Sequence, residues 1–177
     1  YRENDPVQPL NVYGHSKAEG EDRIRARLPE HVILRTAWLY ATHGRNFLTT
    51  MLRLGRERET LSVVNDQVGS PTWAGDLARA ILRIAQALPR TPSWGTYHCS
   101  NEGKTTWYGF AEAIFDLAPQ DQGPRVQEVH PIPTQDYPTP ADRPPYSVLD
   151  CTRIRETFDI TLPPWRESLK AALRMSL

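Results

Sequence analysis

The stretch "HVILRTAWLY", residues 31–40, decides the fold. Val32, Ile33 and Leu34 form an unbroken apolar run, the pattern of a short strand buried on both faces of a parallel sheet. Upstream, residues 11–28 are rich in Ala, Glu, Arg and Lys and contain no proline, which predicts a helix. Downstream, "RNFLTTMLRLGRE" (45–57) puts Phe47, Leu48, Met51 and Leu52 on one helical face. The alternation continues outward. "LSVVND" (61–66) reads as a strand, and "AGDLARAILRIAQAL" (74–88) as a helix with Leu77, Ile81, Ile84 and Leu88 inward. "WGTYHCS" (94–100) is a strand, and "TTWYGFAEAIFDLA" (105–118) a helix burying Trp107, Phe110, Ile114 and Ala118. "RVQEVHPI" (125–132) is a strand around Val126 and Val129, followed by a proline-rich loop over 131–147. "DCTRIRETF" is a short helix with Asp150 as its cap, and "PPWRESLKAALRMS" a last helix opened by proline, with Trp165, Leu169 and Leu173 inward. Strands alternating with helices predict an α/β fold with parallel pairing.

Composition narrows the function. The chain has 177 residues, enough for a real core, and its 39% hydrophobic and 24% charged residues describe a folded chain. Lys plus Arg number 21 and Asp plus Glu 21, so the formal net charge is zero. No global basic field favours nucleic acid, and an anionic ligand needs a local site. No apolar run approaches the roughly 20 residues that span a bilayer, so no membrane partner is expected. Cys99 and Cys151 form no C-x-x-C and read as free thiols of a reducing cytoplasm. The histidines (His15, His31, His43, His98, His130) lack metal-ligand spacing, and no metal ligand is assigned. Of the 16 prolines, eight cluster between Pro119 and Pro145. No G-x-G-x-x-G follows a strand, so the chain carries no dinucleotide fingerprint of its own.

"NVYGHSK" (11–17) lies on the first helix. Residues four apart share a helical face, so Tyr13 and Lys17 point the same way. A free tyrosine titrates near about 10 and is a poor acid or base at neutral pH. A neighbouring ammonium favours the phenolate, which makes the pair a plausible proton donor to a carbonyl oxygen. The spacing alone is common on exposed helix faces, and an ordinary surface pair is the alternative.

Context adds weight. "PLNVYGHSKAEGE" resembles the active-site helix of the extended short-chain dehydrogenases/reductases, where Y-G-x-[ST]-K is followed by small and acidic residues; here Ala18, Glu19 and Glu21 fit. "RTAWLYATHGRNF" (35–47), "VVNDQVGSPTW" (63–73), "GTYHCSNEG" (95–103) and "RPPYSVLDCTRI" (143–154) resemble further segments of that family, in its order. Within it, the R-T-x-W-x-Y and D-Q-x-G-x-P-T segments resemble the branch that reduces 4-keto dTDP-sugars.

The resemblance implies a function and a site. The intact protein would use NADPH or NADH to reduce the C4 keto group of dTDP-6-deoxy-L-lyxo-4-hexulose to dTDP-L-rhamnose, as in polysaccharide biosynthesis. Tyr13 would be the general acid, and Lys17 would tune it and hold the nicotinamide ribose. Thr36 and Ala37 would lie beside the nicotinamide. Trp38 would pack on the sugar, with a core tryptophan as the equal alternative. Asn65, Asp66 and Gln67 fall in the substrate strand, though Asp66 reads rather as a turn residue bonding its own backbone. Arg143 would hold the diphosphate or fix the C-terminal segment. Tyr146 stands where the family often has asparagine, which puts contacts there in doubt. The resemblance also leaves room for Mg2+ in the intact enzyme.

The family's phosphate-binding G-x-x-G-x-x-G and its catalytic Ser or Thr are not in these residues. The chain is therefore expected to be a C-terminal portion, preceded in the intact enzyme by about a hundred residues of nucleotide-binding half. The expected architecture is the C-terminal part of a Rossmann-like parallel sheet plus a small α/β substrate-binding domain. Residues 1–60 would end the Rossmann-like sheet, and residues 61–177 would form mainly the substrate-binding portion, with some segments returning. Alone, the chain is expected to bind cofactor weakly, turn over nothing measurable, and associate as a homodimer or through an exposed sheet edge. The rivals are another nucleotide-sugar reductase or epimerase, and a non-catalytic regulatory subunit of the same fold.

Overall fold

The computed structural model describes residues 1–118 and 125–175. Pro119 and Pro124 of the proline cluster, and Ser176 of the last expected helix, lie outside the described residues. Helix α1 runs Val12–Arg27, started by Asn11, whose side chain accepts the Gly14 N–H at 2.8 Å. It buries no residue. Helical propensity rather than an apolar face forms it, and ion pairs dock it. Arg35 Nε and Nη2 donate to the two carboxylate oxygens of Glu21 at 2.8 and 2.6 Å, and Arg25 joins from one turn further along α1.

Strand β1 (Val32–Arg35) follows and pairs in parallel with a later strand, β6 (Gly95–His98). The expectation that β1 is buried on both faces is corrected. All four of its residues are only half-buried, because the helix beside it, α1, sends charged rather than apolar side chains toward the strand. β2 (Leu39–Tyr40) pairs in parallel with β5 (Thr72–Trp73), and β3 (Thr60–Val64) with β8 (Glu128–Ile132). β4 (Val68–Gly69) pairs antiparallel with β7 (Thr105–Thr106), an exception to the parallel pairing expected. The strands thus join two by two, within a mixed α/β architecture.

Helices fill the spaces between. α2 (Phe47–Glu57) starts with a capping box in which Asn46 and Thr49 exchange bonds. α3 spans Ala74–Ala87, α4 Trp107–Leu117, α5 Thr152–Phe158 and α6 Trp165–Arg174. Cys151, not the expected Asp150, stands at the N-cap of α5, and Asp150 accepts the Thr152 N–H at 2.9 Å from the position before it. One core gathers Leu48 and Met51 of α2, Phe110 and Ile114 of α4, and Leu169 and Leu173 of α6. A second gathers Ala80 and Ile84 of α3, Tyr97 of β6, and Ile154 beside Ile160. Each large side chain fully withdrawn from water contributes roughly 1.5–3 kcal/mol.

One helix is turned differently from its apolar pattern. Ile81 is 48% exposed, whereas Asp76 is 2% exposed. The inward stripe of α3 is Asp76, Ala80 and Ile84, with Leu77 and Leu88 half-buried. The cause is polar. Asn101 Nδ2 lies 2.8 Å from Asp76 Oδ2 and 2.9 Å from Ser168 Oγ, and Ser168 Oγ donates to the same carboxylate. Asn101 Oδ1 accepts the Trp73 N–H at 2.9 Å. This network ties α3 of one core to α6 of the other and sets the rotation of α3.

Candidate active site

Tyr13 and Lys17 share one face of α1, with Lys17 Nζ 5.3 Å from the Tyr13 ring centroid. Tyr13 is 71% exposed, so its phenol can meet a ligand. The same helix start anchors a distant loop: Asn11 Nδ2 donates to the Asp142 carbonyl at 2.7 Å. Arg143, the next residue, is exposed. The loop then runs beside β4. Val68 N–H donates to the Pro145 carbonyl at 2.8 Å and Ser147 N–H to the Val68 carbonyl at 2.9 Å. Tyr146 forms the bridge to Val68, and its ring carries Lys104 Nζ 5.9 Å from the centroid. A single loop therefore connects the Tyr–Lys helix with the Gln67–Gly69 segment.

Across β4 sits an aromatic and amide cluster. Trp38 stacks on Trp107 with centroids 3.6 Å apart and planes 5° from parallel. Trp107 Nε1 donates to Gln67 Oε1 at 3.1 Å, and Gln67 Nε2 donates to Thr134 Oγ1 at 3.0 Å. Gln67 is 5% exposed, so both ends of its amide are satisfied by protein in this state. Trp38 has φ of 46°, a left-handed conformation that costs a bulky residue about 1–2 kcal/mol. Thr36 and Ala37 lead into it directly from the end of β1. Thr36 Oγ1 is buried without a hydrogen-bond partner among the described residues, an atom that a ligand group would satisfy.

Asn65 and Asp66 are held by structure. Asn65 Oδ1 accepts from Thr106 Oγ1 at 2.7 Å, while Thr106 Oγ1 caps α4 through the Gly109 N–H. Asp66 bonds its own backbone, as expected of a turn residue, and its carboxylate also accepts the Thr134 N–H at 2.9 Å and the Thr134 hydroxyl at 2.6 Å. Those bonds hold its carboxyl below the usual range. They also pin the 3-10 turn Thr134–Asp136 that opens the proline-rich loop. Trp107 and the Asp76–Asn101–Ser168 network escaped the sequence reading as contacts. The one available signal for the network was a carboxylate beside apolar residues in "AGDLARAI". Among the described residues, no three His, Cys, Asp or Glu side chains converge as metal ligands. Cys99 and Cys151 are free thiols; burial pushes Cys99 up to about 12.

Two groups predict acid sensitivity. Burial holds His98 below its ordinary 6.5, with Glu3 and Arg35 acting in opposite senses. The unfolded chain therefore takes up a proton below 6.5 that the folded chain resists, and stability falls as pH falls. Hydrogen bonding to Arg35 holds Glu21 below its ordinary 4.5. Its contribution is present above 4.5 and is lost as pH falls through the lowered value. Urea unfolding midpoints should decline below pH 6.5 and again below 4.5, with His98→Asn flattening the first decline. A midpoint independent of pH across both ranges contradicts this.

The RmlD substrate binding domain family matches residues 1–177. A dTDP-4-dehydrorhamnose reductase of Aggregatibacter actinomycetemcomitans is 45% identical over 173 residues, 96% of this chain and 59% of that protein. One from Salmonella typhimurium is 42% identical over 178 residues, 98% of this chain and 58% of that protein. Among solved structures, a Clostridium acetobutylicum dTDP-4-dehydrorhamnose reductase is similar with a TM-score of 0.88 at 43% identity, covering 99% of this chain and 59% of its own. A Bacillus anthracis dTDP-4-dehydrorhamnose reductase solved with NADP has a TM-score of 0.89 at 38% identity, with 99% and 59% covered. The chain thus spans less than two thirds of the length of these relatives. With the whole of its length matched and its fold shared, the chain belongs to the RmlD substrate binding domain family.

Proposed function

We propose that this chain is the C-terminal portion of an NAD(P)H-dependent dTDP-4-dehydrorhamnose reductase. The whole protein reduces the C4 keto group of dTDP-6-deoxy-L-lyxo-4-hexulose to dTDP-L-rhamnose. The observation that carries this reading is the exposed Tyr13–Lys17 pair on α1, tied through Asn11 and Asp142 to the loop that flanks Gln67 and Trp38. Residues 1–60 complete the nucleotide-binding half, and residues 61–177 form mainly the substrate-binding part.

The nicotinamide cofactor supplies the hydride when bound. Lys17, with three donors on an exposed ammonium, and Thr36, with an unpartnered hydroxyl, fit a ribose and a carboxamide-bearing ring; Ala37 offers its backbone beside them. Tyr13 gives its phenolic proton to the oxygen that becomes negative as C4 is reduced. Lys17 stabilises the charge left on the phenol. Trp38 and Asn65 line the sugar side, the buried Gln67 acts behind them by holding Trp107, and Arg143 meets the diphosphate, whose two oxygens suit a guanidinium fork. The described residues offer no cluster for Mg2+, and no step is assigned to it.

No helix among the described residues is long and apolar enough to cross a membrane. With two free thiols, we place the protein in the cytoplasm, in a pathway that supplies rhamnose to polysaccharide. Val12, Leu10, Leu28 and Leu39 are at least half exposed, and we take them as contacts for the nucleotide-binding half or a second copy. The test is a panel of nucleotide sugars with the full-length protein and NADPH. The 4-keto dTDP-sugar should be consumed at least about a hundredfold faster than UDP-linked sugars. Preference for a UDP-sugar, or epimerisation without net cofactor consumption, refutes the reading.

A further inference from the structure

The Trp38 indole is covered on both faces. On one side lies Trp107, 3.6 Å away and nearly parallel. On the other lies the Gly69 backbone: a Cβ added there would fall within 2.7 Å of Cε2, Nε1 and Cζ2 of Trp38. The three atoms nearest that Cβ all belong to Trp38 and none to Trp107, so Gly69 and Trp107 occupy opposite faces. Both flanks are fixed from elsewhere. Gly69 is paired with Thr105 across β4 and β7. Trp107 is held by its bond to the buried Gln67 and by Phe47, whose ring centroid is 4.6 Å away. The left-handed backbone at Trp38 persists because this slot accepts the ring in only one place.

We infer that Trp107 and Gly69 are positioning residues that make Trp38 present the edge of its indole, not a face, to a nucleotide-linked hexose. This rests on the reading that Trp38 meets the sugar. A ring face suits the C–H bonds of a sugar, whereas an edge carries positive C–H and N–H groups suited to its oxygens. The slot thus selects hexoses that turn an oxygen toward Trp38. Trp107 acts on the ligand only through Trp38.

The experiment uses the full-length protein with NADPH and the 4-keto dTDP-sugar, and the variants Trp107→Leu, Trp107→Phe and Gly69→Ala. Expected for Trp107→Leu and Gly69→Ala is a rise in KM for the sugar nucleotide of at least about tenfold, with kcat and the KM for NADPH within about twofold of wild type. Trp107→Phe, which keeps a flat ring on Trp38, should stay within about threefold in every constant. The stacked pair should also give an exciton couplet in circular dichroism that Gly69→Ala loses while both tryptophans remain. An unchanged sugar KM in Gly69→Ala and in Trp107→Leu overturns the inference. If Trp107→Leu fails to fold, Gly69→Ala and Trp107→Phe decide alone. If wild type turns over no 4-keto sugar, the reading of the reaction fails. The positioning claim is then judged on the couplet, whose survival in Gly69→Ala overturns it and whose loss supports it.

Discussion

Replacing Tyr13 by Phe in the full-length protein is expected to lower turnover of the 4-keto dTDP-sugar by about a hundred- to ten-thousandfold, with little change in substrate KM. The side chain is exposed on α1, and removing one hydroxyl disturbs no hydrogen bond of the described structure in which the phenol takes part. Folding should therefore be untouched, and the loss should fall on kcat. Lys17→Ala should lower kcat less severely and raise the KM for NADPH, because the ammonium both stabilises the phenolate and donates to the cofactor. Steady-state kinetics on both variants check this. Activity of Tyr13→Phe within about threefold of wild type would remove the phenol from the chemistry.

The second large effect concerns stability. Asp76 is a nearly fully buried carboxylate that receives Asn101, Ser168 and Arg79. Asn101→Leu removes the amide that bonds this carboxylate, the Pro163 carbonyl and the Trp73 N–H together. Removing this neutral partner leaves the Trp73 N–H and the Pro163 carbonyl without its bonds and takes one bond from Asp76, at about 1–3 kcal/mol for a buried polar group so stranded. Urea unfolding of Asn101→Leu should show that loss, and Asn101→Ala a similar one. A loss below about 1 kcal/mol means that water or a local shift replaces the amide. The consequence reaches the site as well, since the network holds Trp73 and the start of α3 against the loop after β6.

Local pattern made much of this legible. The helices over 12–27, 47–57 and 107–117 follow from propensity, caps and apolar spacing that lie within each segment. The shared face of Tyr13 and Lys17 follows from helical period alone. What stayed hidden depends on residues far apart in sequence. The inward turn of Asp76 is decided by Asn101 and Ser168, so the apolar Ile81 is left half exposed against its pattern. Asp66 is also held by Thr134, 68 residues on. Trp38 reads as a sugar platform or a core residue, and the slot between Gly69 and Trp107 appears only once β4 meets β7. β1 looks buried by composition, yet its neighbour α1 meets it with the Glu21 carboxylate on Arg35.

The most direct measurement follows a label. Full-length protein is mixed with NADPH deuterated at the transferring position and with dTDP-6-deoxy-L-lyxo-4-hexulose, and the product is read by nuclear magnetic resonance. The account predicts dTDP-L-rhamnose carrying deuterium at C4, formed with equal consumption of cofactor. Recovery of unreduced sugar, or of a product with no deuterium at C4, contradicts it.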